Sequence, residues 1–244
     1  MRRLKLVLEY DGAAYHGWQF QPGLDTIQGA LEGALSRLAG VPVQVRGAGR
    51  TDAGVHALGQ VASCTAALRL DDVALRRALN ALLPRDIVIR VVETVPPDFD
   101  ARRSARSKMY RYTLLMRECR SALQARTSLH VPYALDLEAM TRGAAVLVGT
   151  HDFSAFRAGA CAAATPIRTV TRAAWRADGD RWHFEIDGNA FLQHMVRIIV
   201  GTLLEIGRGK RRAADLAEIL ASRDRRAAGK TALPHGLCLV SVEY

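Results

Sequence analysis

Cysteine is scarce: Cys64, Cys119, Cys161 and Cys238 are the only four in 244 residues. No two stand at the short spacing of a zinc site, and each lies among small or apolar neighbours. That usage fits reduced packing residues of a cytosolic protein. Histidine pairs at metal spacing are also missing: none flanks His56, His151, His183 or His194 in that way. The segment Met1-Arg2-Arg3-Leu4-Lys5-Leu6 has charge but no apolar signal core, because Lys5 and Glu9 interrupt it. No apolar run is long enough to cross a membrane. The glycine-rich stretch at 47–56 is not followed by Gly-Lys-Ser/Thr, which leaves a P-loop phosphate cradle a weak alternative.

Acidic residues are in deficit. Against 24 Asp and Glu stand 34 Lys and Arg, for a formal charge of +10. A surplus of this size in a folded chain points to a polyanionic partner, nucleic acid above all, although a plain solubility bias gives the same number. Much of the excess is arginine, whose planar fork suits phosphate. With 49% hydrophobic residues, the chain can bury a sizeable core as one large domain or two small ones.

The chain is organised around Gly47-Ala48-Gly49-Arg50-Thr51-Asp52-Ala53-Gly54-Val55-His56. Alternating residues 43–46 predict a strand before it, and short branched residues predict another over 55–65. Asp52 therefore stands at the tip of a glycine-framed loop between strands, with Arg50 two residues away. Such loops carry chemistry, but Thr-Asp-Ala-Gly is equally a good plain turn.

In chain order, 4–10 reads as a strand, followed by an aromatic, glycine-rich loop through Trp18. Thr26 caps a helix with Ile27, Leu31, Leu35 and Leu38 inward, ended by Gly40. Asp71 or Asp72 starts a second helix over Leu75, Leu79 and Leu82, stopped by Pro84, and 86–95 is a strand. The order strand, helix, strand, strand, helix, strand is ferredoxin-like. The second half repeats the pattern: a strand at 107–116, a helix near 136–148 over Leu137, Met140, Ala144 and Leu147, and an aromatic loop at 149–157. A hairpin then turns at Asp178-Gly179, a helix spans 191–206, a short helix spans 213–222, and a strand spans 237–244. The expected fold is α+β: two ferredoxin-like, RRM-like βαββαβ halves at 1–105 and 106–244. They would share a mixed, mainly antiparallel sheet, with helices on one face and an RNA-binding cleft on the other.

Three further side chains stand out. Tyr110 and Tyr112 share one face of their strand, with Arg111 on the other. A tyrosine there can stack on a base or sit in the core with its hydroxyl satisfied. Arg197 lies inside an apolar helix; it either snorkels to the surface or pairs with a carboxylate, for which Asp52 is a candidate. The basic groups at 208–212 and 223–230 are solvated faces or phosphate contacts, and Arg102, Arg103, Arg106 and Lys108 form another basic group just before the Tyr110 strand.

Together, Tyr10-Asp11-Gly12 with Tyr15-His16-Gly17-Trp18-Gln19, the stretch from Gly49 to His56, Tyr110-Arg111-Tyr112, Phe153-Ser154-Ala155-Phe156-Arg157 and His194-Met195-Val196-Arg197 with Gly201 resemble the tRNA pseudouridine synthase A family. The resemblance implies isomerisation of uridine to pseudouridine at positions 38, 39 and 40 of the tRNA anticodon stem-loop. It implies a cytoplasmic homodimer holding one tRNA across both subunits, with no metal and no cofactor. It makes Asp52 the nucleophile, lays Tyr110 against the uracil, links Arg50 to flipping of the base, and pairs Arg197 with the aspartate. A non-enzymatic RNA-binding module would leave Asp52 without a purpose, since an acid there repels phosphate. A metal-dependent nuclease would call for several carboxylates.

Overall fold

A computed structural model describes the whole chain except residues 160 and 162. It divides into two compact units, one of Met1–Arg106 with Cys238–Tyr244 and one of Ser107–Leu237. The class is α+β, with mainly antiparallel strands. Among the described residues, no helix is long and apolar enough to cross a membrane.

In the first unit, β1 (Arg2–Tyr10) lies between β3 (His56–Ala66) and β4 (Ile87–Val95), antiparallel to both. Strand alternation sends Leu4, Leu6, Leu8 and Tyr10 of β1 to one face, where all four are buried. The same unit holds two helices. In α1 (Ile27–Ala39), Thr26 accepts the Gly29 amide as N-cap, and Gly40 ends the helix at φ +71°. In α2 (Asp72–Leu82), Asp71 is the cap, which leaves Asp72 to bind Arg2 at 2.7 Å and the Thr94 amide at 2.9 Å. Leu38 and Leu82, expected inward, are only half-buried; Leu83, one residue on, is buried instead.

The strand expected over 43–46 is reduced to β2 (Arg46–Gly47), which pairs with Ser63 and Ala62 of β3. The valines before it are buried, but their amides go elsewhere: Val43 donates to Ser36 Oγ and Val45 to Glu32 Oε1, both on α1. An alternating pattern had the burial of a strand without its ladder. The other end of the same edge of β3 is taken by β10 (Leu237–Glu243), parallel to it at His56 and Ala57.

The second unit has β5 (Ser107–Met116) antiparallel to β9 (Arg181–Gly188), then β8 (Ile167–Asp178) and β7 (Gly149–Asp152). A short β6 (Leu129–Val131) runs parallel to β5. The hairpin between β8 and β9 turns at Gly179, φ +60°. The loop expected at 149–157 contains β7 and a one-turn 3-10 helix, Ser154–Phe156. Three helices complete the unit: α3 (Leu137–Ala145), α4 (Met195–Gly207) and α5 (Asp215–Ser222).

Two helices are shorter than their apolar pattern predicts. After α3 the amides of Val146, Leu147 and Val148 turn to carbonyls three residues back, and Gly149 at φ +121° ends the run. Leu137 at its start is half-buried rather than inward. The helix expected from 191 begins only at Met195, because His194 sits at φ 62° and turns the chain. The last short helix starts at Asp215 instead of 213. Almost every residue of α4 is buried, and the 229–232 segment lies against it: Gly229 donates to Thr202 Oγ1 at 2.9 Å. A Cβ on Gly201 would fall 1.7 Å from the Lys230 carbonyl oxygen, so that approach requires glycine.

Candidate functional site

The loop at 47–56 is built by its own glycines and by the segment that follows β1. Gly47 has no side chain because the Trp18 indole occupies the place, 2.5 Å from where a Cβ would stand. The buried Gln60 of β3 donates to the Gly49 carbonyl at 2.9 Å, and Trp18 N–H donates to the Thr51 carbonyl at 3.0 Å. Thr51 is buried, and its hydroxyl lies 2.8 Å from that of Tyr10, which also receives Gln60 at 3.4 Å. A chain of buried polar groups thus fixes the residue before Asp52. Burial pushes the Tyr10 hydroxyl above its ordinary pKa, and the bonds to Thr51 and Gln60 offset that only in part.

Beyond Asp52 the chain reverses in one turn. The Val55 amide donates to the Asp52 carbonyl at 3.1 Å, and Gly54 supplies the positive φ, +77°, that such a turn needs at its third position. Gly17, at φ +92°, presses on this turn from the other side; a Cβ there would be 2.7 Å from the Thr51 oxygen. A Cβ on Gly12 would be 2.0 Å from the Val55 oxygen. At the root of β3, the buried His56 accepts the Gly12 amide at Nδ1, 3.1 Å, beside Asp11 Oδ1 at 3.1 Å. Tyr15 donates to Asp86 at 2.6 Å, and burial together with that carboxylate raises its pKa. The two motifs at 10–19 and 47–56 are therefore one structure. Asp52 projects from it half-buried, and Arg50 is exposed.

In the second unit, Tyr110 is 6% exposed, and its ring meets Phe191 edge-on at 5.1 Å between centroids. Tyr112, on the same face, is a core residue: its hydroxyl donates to the Leu233 carbonyl at 2.8 Å, and burial raises its pKa. Arg111 on the opposite face binds Glu185 at 2.9 Å; this buried carboxylate also holds Arg172 at 3.0 Å. Arg197, half-buried near the start of α4, donates from Nε to the Ala232 carbonyl at 2.8 Å.

The four sequence-derived candidates thus fall in two pairs, Asp52 with Arg50 in the first unit and Tyr110 with Arg197 in the second. An open concavity of about 430 Å³ in the second unit, walled by Val146, His151, Leu220 and the Asp152–Arg223 ion pair, contains none of them. The sequence reading missed the supports Tyr10, Thr51 and Gln60. The available signal was Gln60 itself, an amide side chain inside a strand of mostly small and apolar residues.

The family model described as tRNA pseudouridine synthase matches residues 6–102 and 144–244. Among curated proteins, the tRNA pseudouridine synthase A of Geotalea uraniireducens is 47% identical over the full length of both chains, as is that of Acetivibrio thermocellus. That of Myxococcus xanthus is 49% identical, over all of this chain and 92% of the relative.

Proposed function

The chain belongs to the tRNA pseudouridine synthase family, and from that premise we propose that it isomerises uridine to pseudouridine at positions 38, 39 and 40 in the anticodon stem-loop of tRNA. The reaction breaks the bond from ribose C1′ to uracil N1, turns the base, and joins C1′ to C5. The C5 proton leaves and N1 gains one, so no electrons are exchanged with a second reactant. The uridine leaves its stack before reaction, and Arg50 takes its place there. The nucleophile is Asp52, whose carboxylate meets the electron-poor centre created when the base departs. Arg197 is the arginine that pairs with it. Tyr110 forms the wall against which the detached uracil is retained. The enzyme works as a homodimer in the cytoplasm, with the tRNA lying across both subunits.

The observation that carries this reading is the frame around Asp52, in a chain that matches its relatives from end to end. So much close-fitting backbone around one half-buried carboxylate is more than a surface turn requires. The test is incubation with an unmodified tRNA transcript, followed by mapping of pseudouridine by position. Product at 38, 39 or 40 is expected. Product only elsewhere would remove the anticodon assignment, and none at all would remove the activity.

A further inference from the structure

Beside the root of the Asp52 loop, the segment at 96–106 crosses the first unit as a strap. Its anchors are specific. Arg3 Nε donates to the Phe99 carbonyl at 2.7 Å, the Ala101 amide donates to Ser63 Oγ at 3.1 Å, and the Tyr244 hydroxyl donates to the Ala101 carbonyl at 2.8 Å. Ala101 packs with Val61 and with Ala48 of the Asp52 loop, so strap and loop share a core. At its centre Asp100 is only 5% exposed. One of its oxygens accepts the amides of Arg102 and Arg103, both at 2.9 Å, and the other accepts Arg46 Nη1 at 2.8 Å. Burial pulls the carboxyl up, but the two amides and the Arg46 guanidinium outweigh it and hold the group below the usual carboxylate range.

A buried, ionised carboxylate thus anchors three arginines that point their charge outward. Arg46 keeps 60% of its side chain exposed and Arg103 79%, and Arg102 is exposed as well. A guanidinium has five donors, and Arg46 gives Nη1 to Asp100 while 60% of its side chain faces solvent, where its fork can meet another anion. With Arg106 included, four arginines stand against the two carboxylates of Asp98 and Asp100.

We propose that Arg46, Arg102 and Arg103 form a phosphate-binding clamp for the RNA backbone, held by Asp100 at the root of the Asp52 loop. The inference rests on the reading of the chain as a tRNA-modifying enzyme and names the surface by which it holds its substrate. Phosphate is the fitting partner because planar forks recognise it in pairs, and backbone contact positions RNA without reading sequence.

The test is the salt dependence of binding to an unmodified tRNA transcript. Each phosphate contact contributes about 0.7 to 0.9 to the slope of log affinity against log salt. The combined variant Arg46→Gln, Arg102→Gln, Arg103→Gln should flatten that slope by about two. A second variant removes the same charge from exposed positions of the same unit, Arg37→Gln, Arg69→Gln and Arg77→Gln, and should keep a slope close to that of the unaltered protein. All six positions are exposed, and circular dichroism checks that both variants fold. Equal slopes in the two variants would overturn the clamp while leaving the enzymatic reading intact, provided the unaltered protein makes pseudouridine. An unaltered protein that neither binds the transcript nor modifies it would overturn both.

Discussion

The loop at 47–56 and the turn at 189–194 both lead into residues with candidate roles, yet they are held in opposite ways. The first is gripped by backbone. Gly12 and Gly17 admit neighbouring carbonyls where a single added carbon would collide, and a buried Thr51–Tyr10–Gln60 chain fixes it from below. The second is held by a few contacts around ordinary side chains. Asn189 exchanges hydrogen bonds with Thr169 across the β8 edge, Phe191 rests half-buried on Tyr110, and His194 takes φ 62° without being glycine. A left-handed conformation in such a residue costs about 1 to 2 kcal/mol. The comparison teaches that a carboxylate needing one fixed position is set on a frame with no spare volume. Tyr110 is set against the ring of Phe191, edge-on.

The largest effect should come from filling that frame. Gly12→Ala places a methyl against the Val55 carbonyl and should destabilise the protein by about 3 kcal/mol. Chemical denaturation measures it, and a loss within error of zero would show that the loop moves aside freely.

Next is the wall. Tyr110→Phe keeps the ring contact with Phe191 and should retain most turnover, whereas Tyr110→Leu should lose stability by about 1 to 3 kcal/mol and turnover with it. Full activity in both would leave stacking by Tyr110 without support.

The smallest effect concerns Asp100. Its folded-state pKa lies below the ordinary carboxylate value. Its contribution to stability is therefore complete above about pH 4, the unfolded value, and is lost as pH falls through the folded one. The stability gap between the unaltered protein and Asp100→Asn should be widest near neutrality and should narrow below about pH 4. A gap independent of pH would mean that Asp100 is not ionised in the fold.

Much of the first unit can be read from its sequence, because local signals agree with the fold. Thr26, Asp71 and Gly40 mark helix ends that the structure keeps. The misreadings share a physical cause: periodicity reports burial but not where the amides go. Residues 43–45 alternate like a strand while bonding to α1 side chains, and the apolar pattern from Phe191 runs unbroken through a left-handed His194. The candidate residues Asp52, Arg50, Tyr110 and Arg197 were all named from local motifs. Their supports were not, since Tyr10 meets Thr51 across 41 residues and Gln60 across 50.

The most direct test of the central claim compares Asp52→Asn with the unaltered protein for tRNA affinity and for pseudouridine formation on one transcript. The amide keeps the shape of the side chain and removes its charge. Turnover should fall by about 10⁴-fold or more while affinity stays nearly unchanged. Near-normal turnover in the variant would contradict the assignment of Asp52 as the nucleophile.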